Sequence, residues 1–128
     1  MARKTVHSDD APKAIGPYSQ AVQVDAGKMT FLSGQIPLDP KTMELVTGDV
    51  VAQTEQVMKN LGAVLHAAGL DFSHVVRCTI FLTDLGDFAR VNEVYGRSFP
   101  GAPPARATVQ VSALPRGSKV EIDAIAVS

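Results

Sequence analysis

The chain has 128 residues, of which 45% are hydrophobic and 20% are charged, and its formal net charge is −1. This composition is typical of one globular domain and excludes a disordered or fibrous chain. The near-zero charge argues against nucleic acid or an anionic membrane as the main partner. We therefore predict a single domain over residues 1–128.

Cysteine content and the N-terminal segment favour a cytoplasmic protein without a metal or other cofactor. Cys78 is the only cysteine, which excludes an internal disulfide and a Cys-rich zinc site. His7, His66 and His74 lack metal-ligand spacing. The first residues are not followed by an apolar signal segment, and no apolar run reaches the roughly 18 residues of a membrane span. We expect a soluble, cytoplasmic chain.

The first third of the chain predicts short strands. Residues 3–7 are compatible with an edge strand, and a turn-rich segment with two prolines follows. The runs 21–24 and 29–33 flank Asp25-Ala26-Gly27-Lys28, which is a typical hairpin signal. These two strands are therefore expected to pair.

Two helices and a further strand are predicted next. Asp49 caps a helix with apolar residues at helical spacing, and Gly69 ends it. Residues 75–82 are rich in β-branched and apolar side chains and predict a strand. Asp84 or Asp87 begins a second helix. Its inward-facing residues are expected to be Phe88, Val91, Tyr95 and Phe99.

The last two strands alternate apolar and polar residues around a Pro/Gly turn at residues 114–118. We expect them to be antiparallel neighbours, with one face in the core and the other displaying Arg106, Thr108 and Glu121. The whole order predicts an α+β two-layer sandwich with a mostly antiparallel sheet and two helices on one face. The other face is either solvated or covered by a second copy in a symmetric oligomer.

Arg106 and Glu121 are the sharpest functional candidates. A guanidinium matches a carboxylate bidentately, so Arg106 can hold a small carboxylate ligand. The alternatives are a solvated strand arginine or a structural ion pair with Glu121 or Asp123. Glu121 either orients or deprotonates a water molecule, or is an outward strand carboxylate.

Several other residues are candidates for the same site. Tyr18, Ser33 and Gly34 lie where loops and strand ends gather binding groups. Asn92 shares a helix side with Phe88 and is either a structural hydrogen-bonding group or a site residue. Cys78 lies on the apolar side of a strand, so we expect an unreactive thiol.

Four segments together resemble the RidA/YjgF family, also described as the endoribonuclease L-PSP family. They are Ala14-Ile15-Gly16-Pro17-Tyr18-Ser19-Gln20-Ala21, Ser33-Gly34-Gln35-Ile36-Pro37, Pro104-Ala105-Arg106-Ala107-Thr108-Val109 and Val120-Glu121-Ile122-Asp123-Ala124-Ile125-Ala126. They span nearly the whole chain in the family's order, and their joint specificity is high.

This resemblance implies a 2-iminobutanoate/2-iminopropanoate deaminase, which hydrolyses imines released by threonine and serine dehydratases to 2-keto acids and ammonia and so removes reactive intermediates. It also implies a chorismate-mutase-like homotrimer with sites between subunits. Arg106 would grip the substrate carboxylate, and Glu121 would position the attacking water. The pocket would be lined by Tyr18, Ser33, Gly34, Asn92 and Thr108, the last at a position where many members have cysteine.

Two other functions remain open at this level. The first is a non-catalytic module that binds 2-keto acids or related carboxylates in the same cleft. The second is the ribonuclease or translation-inhibitor activity associated with the family. The charge balance and the lack of a basic stripe with aromatic residues argue against RNA as the substrate.

Overall fold

Six strands and two helices make up the regular structure of residues 3–25 and 27–128, which the computed structural model describes. The predicted turn at residues 25–28 includes Ala26, which, like Met1 and Ala2, lies outside the described residues. Short 3₁₀ turns cover Phe72–His74, Leu85–Asp87 and Pro115–Gly117. The main elements are β1 (Arg3–Val6), β2 (Ala21–Val24), β3 (Met29–Gln35), α1 (Val50–Ala67), β4 (Val75–Leu82), α2 (Phe88–Gly96), β5 (Ala105–Gln110) and β6 (Val120–Val127).

The strands form two sheets. β1 and β2 pair antiparallel as a two-stranded sheet, and the other four strands follow the order β3-β6-β4-β5. β6 is antiparallel to both of its neighbours, whereas β4 and β5 are parallel. The α+β class predicted from the sequence is confirmed, and the main sheet is mostly antiparallel with one parallel pair, β4 and β5.

Two predicted strand pairings are wrong. β5 and β6 are not neighbours, because β4 lies between them. β6 carries apolar side chains on both faces near its end, which suits a central strand. β5 follows two prolines that cannot donate backbone hydrogen bonds, and it takes an edge. The hairpin of β2 and β3 is also absent from the described residues, since β2 pairs with β1 and β3 pairs with β6.

The helices pack together on one face of the main sheet. Asp49 caps α1 as predicted, with its side chain accepting hydrogen bonds from the backbone N–H groups of Val51 and Ala52. The buried residues of both helices join the inward residues of β4 and β6 in one core. Among the described residues, neither helix combines the length and apolar character needed to cross a membrane.

Strand register decides which side chains face the helices. Cys78 of β4 lies opposite Ala124 of β6 and opposite Arg106 of β5, so these three share the helix face. Phe81 lies opposite Glu121 and Val109, which share the other face. We call this second face the open face. It exposes Met29 by 56%, Phe31 by 69% and Val109 by 41%.

Candidate functional site

Arg106 lies on the edge strand β5, and its guanidinium turns toward α2. Nη1 donates a hydrogen bond to Oδ1 of Asn92 at 2.7 Å. Within residues 3–25 and 27–128, no aspartate or glutamate forms an ion pair with Arg106. The structural alternative considered from the sequence, an ion pair with Glu121 or Asp123, is therefore not what the structure contains. Oδ1 of Asp123 instead accepts a hydrogen bond from the backbone N–H of Thr79 at 3.1 Å.

Three aromatic rings surround the same guanidinium. Its central carbon lies 5.4 Å from the ring centre of Tyr18, 5.5 Å from that of Phe88 and 5.3 Å from that of Tyr95. At such distances a cation is attracted to the face of an aromatic ring. Burial lowers the pKa of Arg106, although an arginine remains charged in a protein at neutral pH. The structure thus holds a partly desolvated cation by an amide and by π faces.

A small cavity opens beside this cation. It has a volume of about 260 Å³, and we call it the Arg106 pocket. The hydroxyl oxygen of Thr108 is buried and has no hydrogen-bond partner in the described part of the chain. An unsatisfied hydroxyl and an arginine without an acidic partner together suit a small anion. The lining residues are Ile15, Tyr18, Phe88, Arg106 and Thr108.

Nearby titratable groups leave the charge of Arg106 uncompensated. Burial raises the pKa of the Cys78 thiol from 9.0 to about 11. Burial also raises the pKa of Tyr95 well above its usual value, an effect reinforced by Cys78. Both groups therefore remain neutral at physiological pH, and neither supplies an anion that would compete with a carboxylate ligand.

The segment before β2 is folded so that Tyr18 reaches the pocket. Backbone N–H of Ser19 donates to the carbonyl of Pro104 at 3.1 Å, and the hydroxyl of Ser19 donates to the carbonyl of Pro103. These bonds fasten the loop to the start of β5. A Cβ on Gly16 would lie 3.4 Å from Nη2 of Arg106, so the loop passes at van der Waals distance from the guanidinium.

A second group of predicted site residues lies on the open face. The pairing of β3 with β6 shifts register between Leu32 and Gln35, which leaves Ser33 and Gly34 in a bulge. The Glu121 carboxyl group packs directly over Gly34, because a Cβ there would lie 2.8 Å from the carboxyl carbon. We call Ser33, Gly34 and Glu121 the Glu121 patch. Glu121 forms no ion pair with any residue that the structure describes.

The prediction that Arg106, Thr108 and Glu121 share one face is wrong for a single chain. Arg106 shares the helix face with Cys78, whereas Glu121 lies opposite Phe81 on the open face. The prediction assumed that β5 and β6 are paired, and the insertion of β4 with parallel β5 reverses which row of β5 faces the core.

The structure divides the predicted site residues between two places. Arg106, Tyr18, Asn92 and Thr108 meet at the Arg106 pocket, and the others form the Glu121 patch. Sequence reasoning missed Ile15, Gly16, Phe88 and Tyr95 as pocket or supporting residues. The spacing of Phe88, Asn92 and Tyr95 on one helix side was the available signal. Across the described ranges, no three His, Cys, Asp or Glu side chains cluster as a metal ion would require.

Comparisons with known proteins show the family of the chain. The family model described as Endoribonuclease L-PSP matches residues 8–128. Protein DfrA of Myxococcus xanthus is 89% identical over 128 residues, covering 100% of this chain and 98% of DfrA. The 2-iminobutanoate/2-iminopropanoate deaminase of Mus musculus is 56% identical over 127 residues, covering 99% and 93% of the two chains. The chain belongs to the RidA/YjgF family.

One solved structure within this family contains a small ligand. It is the crystal structure of E. coli TdcF with bound serine, which is 45% identical to this chain. The TM-score is 0.75, and the match covers 98% of each chain. The fold described above is therefore shared by proteins that are similar in sequence over their whole length.

The environment of Cys78 generates a prediction. Its side chain is 1% exposed and its pKa is about 11, so the thiolate fraction at pH 8 falls roughly a hundredfold below that of an ordinary thiol. We expect no reaction of the folded protein with 5,5′-dithiobis(2-nitrobenzoate) at pH 8 and one thiol per chain after unfolding in guanidinium chloride. Rapid labelling of the folded protein would contradict this environment.

Proposed function

We propose that the chain is an imine deaminase that hydrolyses 2-iminobutanoate and 2-iminopropanoate to 2-keto acids and ammonia. The observation that carries the proposal is the partly desolvated Arg106 guanidinium, which, among the residues the structure describes, has no acidic partner and lies beside an unsatisfied hydroxyl. A 2-imino acid supplies the missing carboxylate. The mouse relative, named as a deaminase of these imines, supports the same substrate class.

In this proposal, the chain's own residues carry out each step of hydrolysis. Arg106 binds the substrate carboxylate, and Thr108 donates a hydrogen bond to it or to the adjacent nitrogen. Glu121 holds a water molecule whose oxygen adds to the C=N carbon while one water proton passes to the nitrogen. The second water proton then passes from the new hydroxyl to the amino nitrogen of the carbinolamine. The C–N bond breaks as the C=O bond forms, and the nitrogen leaves as ammonia. Orientation of the water supplies much of the rate enhancement.

The site of this reaction would be assembled from two copies of the chain. Within one copy, Arg106 and Glu121 lie on opposite faces of the sheet, so one chain does not bring them to the same substrate. If the Arg106 pocket of one copy packs against the Glu121 patch of the next, the arginine that binds the carboxylate and the glutamate that holds the water would contact the same substrate. A ring of such contacts closes when each copy supplies both surfaces, and a homotrimer is the arrangement we propose.

The open face supports association of this kind. It combines exposed Met29, Phe31 and Val109 with the partly buried Phe81 and Ile125. Contiguous exposed apolar surface on a small protein marks an interaction site more often than a solvated surface. Covering this face with identical copies would bury the apolar side chains and bring Glu121 against a neighbouring molecule.

A second candidate function is carboxylate binding without turnover. The observation that favours it is that the Arg106 pocket lies within one chain and needs no water-positioning acid to bind an anion. The TdcF structure contains serine, an amino acid with a carboxylate rather than an imine. The two functions differ over Glu121, because only the deaminase needs this carboxyl group for turnover.

A coupled assay tests the deaminase directly. A threonine dehydratase generates the imine in the presence of semicarbazide, which traps it as a semicarbazone that absorbs in the ultraviolet. We expect the wild-type protein to suppress semicarbazone formation and to speed the release of ammonia. Equal semicarbazone with and without the protein would overturn the proposed activity.

Replacement of Arg106, the residue that would bind the substrate carboxylate, gives the first prediction of this proposal. Arg106→Ala should lower kcat/KM by about 30-fold to several thousandfold, which corresponds to about 2–5 kcal/mol for a desolvated carboxylate contact. Arg97→Ala is the matched control, since Arg97 forms only surface ion pairs with Glu93 and Glu55. Equal activity of the two variants would contradict a role for Arg106.

The lack of room for a side chain at Gly34 gives the second prediction. Gly34→Ala places a methyl group against the Glu121 carboxyl group, which must move and lose its position for holding water. We expect at least a tenfold loss of kcat, consistent with the effect of a small misplacement at a reacting centre. Gly101→Ala is the control, because no atom of residues 3–25 and 27–128 lies within 4 Å of its Cβ position. Wild-type kcat for Gly34→Ala would contradict the role of the Glu121 patch.

Removal of the Glu121 charge separates the two candidate functions. Glu121→Gln keeps the shape of the side chain but removes its capacity to accept a proton. We expect this variant to lose turnover in the semicarbazide assay while it binds 2-oxobutanoate with a Kd within about threefold of wild type, as measured by calorimetry. Undiminished turnover of Glu121→Gln would contradict the role of Glu121, whereas a wild type that binds 2-oxobutanoate without turnover would favour the binding function.

A further inference from the structure

The Arg106 guanidinium faces the Arg106 pocket on one side and a buried aromatic ring on the other. Two of the three rings around it, Tyr18 and Phe88, line the Arg106 pocket, whereas Tyr95 does not. Tyr95 is 0% exposed and belongs to the buried core. Its ring centre is 5.3 Å from the guanidinium carbon. Tyr95 therefore supports the cation from the protein interior, where no ligand reaches it.

Tyr95 is itself held in place by further aromatic packing. Its ring centre lies 4.9 Å from that of Phe99 at an interplanar angle of 46°. Phe99 in turn contacts Phe72 edge to face, with ring centres 5.5 Å apart. Such pairs are favoured by the quadrupole of aromatic rings. Tyr95 is thus one member of an aromatic cluster with Phe99 and the partly buried Phe72, which extends away from the pocket.

The arginine has few other restraints on its orientation. Among the described residues, Nη1 is the only guanidinium nitrogen that donates a hydrogen bond, and its acceptor is Asn92. With a single hydrogen bond, the guanidinium can still rotate about the line that joins Nη1 to Asn92. The ring of Tyr95, packed against the guanidinium, restricts that rotation. With Nη1 engaged by Asn92, the remaining donors stay available for a carboxylate.

The hydroxyl of Tyr95 is consistent with a supporting role rather than a chemical one. It is buried and has no hydrogen-bond partner within the described ranges. Because it remains neutral, it does not form an ion pair with Arg106 that would compete with a ligand. Burial raises the pKa of the Cys78 thiol as well, so Cys78 does not compete as an anion either.

We propose that Tyr95 is a positioning residue of the substrate clamp, whose ring holds the Arg106 guanidinium in the orientation that binds the carboxylate. This inference rests on the proposed function, because it assumes that Arg106 binds the substrate. It predicts that the electron density of the ring, and not only its volume, determines carboxylate affinity.

Two isosteric variants test this role. Tyr95→Phe keeps the negative face of the ring, whereas Tyr95→pentafluorophenylalanine keeps the shape and inverts the quadrupole. We expect Tyr95→Phe to bind 2-oxobutanoate within about twofold of wild type. The fluorinated variant should bind about 3- to 30-fold more weakly, as expected for loss of a desolvated cation–π contact. In the semicarbazide assay the change should appear mainly in KM, because the clamp holds ground state and transition state alike.

A variant of the neighbouring Phe99 serves as the control for the general loss of core packing. Phe99→Leu removes a ring from the aromatic cluster but no contact to Arg106. Tyr95→Leu removes a ring from the cluster together with its contact to Arg106. Urea denaturation should show similar losses of stability for the two variants. Only Tyr95→Leu should bind 2-oxobutanoate markedly more weakly. If Tyr95→Leu does not fold, the two isosteric variants alone decide the question.

The outcomes separate this inference from the proposed function. Equal affinity of the phenylalanine and pentafluorophenylalanine variants, with an active wild type, would overturn the role of Tyr95 and leave the deaminase intact. A wild type that neither suppresses semicarbazone formation nor binds 2-oxobutanoate would overturn the proposed function, and the role of Tyr95 with it.

Discussion

The structure of this chain depends on one unusual environment, that of Arg106, an arginine at the rim of the core without an acidic partner in the described part of the chain. Desolvation of a cation is unfavourable unless something replaces water, and here an amide oxygen and three π faces do so in part. The remaining donors face a small cavity. Strand β5, helix α2 and the loop around Gly16 each contribute one wall of the Arg106 pocket, so the positions of three separate segments determine the environment of Arg106.

A second constraint comes from sheet topology. The parallel pairing of β4 and β5 turns Arg106 toward the helices, and the antiparallel pairing of β4 and β6 turns Glu121 the other way. Clamp and acid are therefore separated by the sheet within each copy. The same face that presents Glu121 also exposes apolar side chains, so oligomer formation and completion of the site would be one event rather than two.

The sequence predicted local structure well and long-range pairing less well. The cap at Asp49, the bounds of β4 and the burial of Cys78 follow from short-range spacing, and the structure agrees with them. The neighbours of β5 depend on which strand enters between β5 and β6, and an alternating pattern does not contain that information. Because side-chain direction follows register, the error in pairing moved Arg106 and Glu121 to the same face in the prediction. Tyr95 was recognised as a core residue, but its contact with Arg106 required the fold.

A complementation experiment tests most directly whether the site is shared between copies. Arg106→Ala and Glu121→Gln chains with different tags are co-expressed, and oligomers that carry both tags are purified. In a trimer of mixed composition, one of the three interfaces joins an intact Arg106 to an intact Glu121, so activity should return to about one third of the wild-type value per chain. Doubly tagged trimers that are as inactive as either variant alone, or the failure of the two chains to associate at all, would contradict the account.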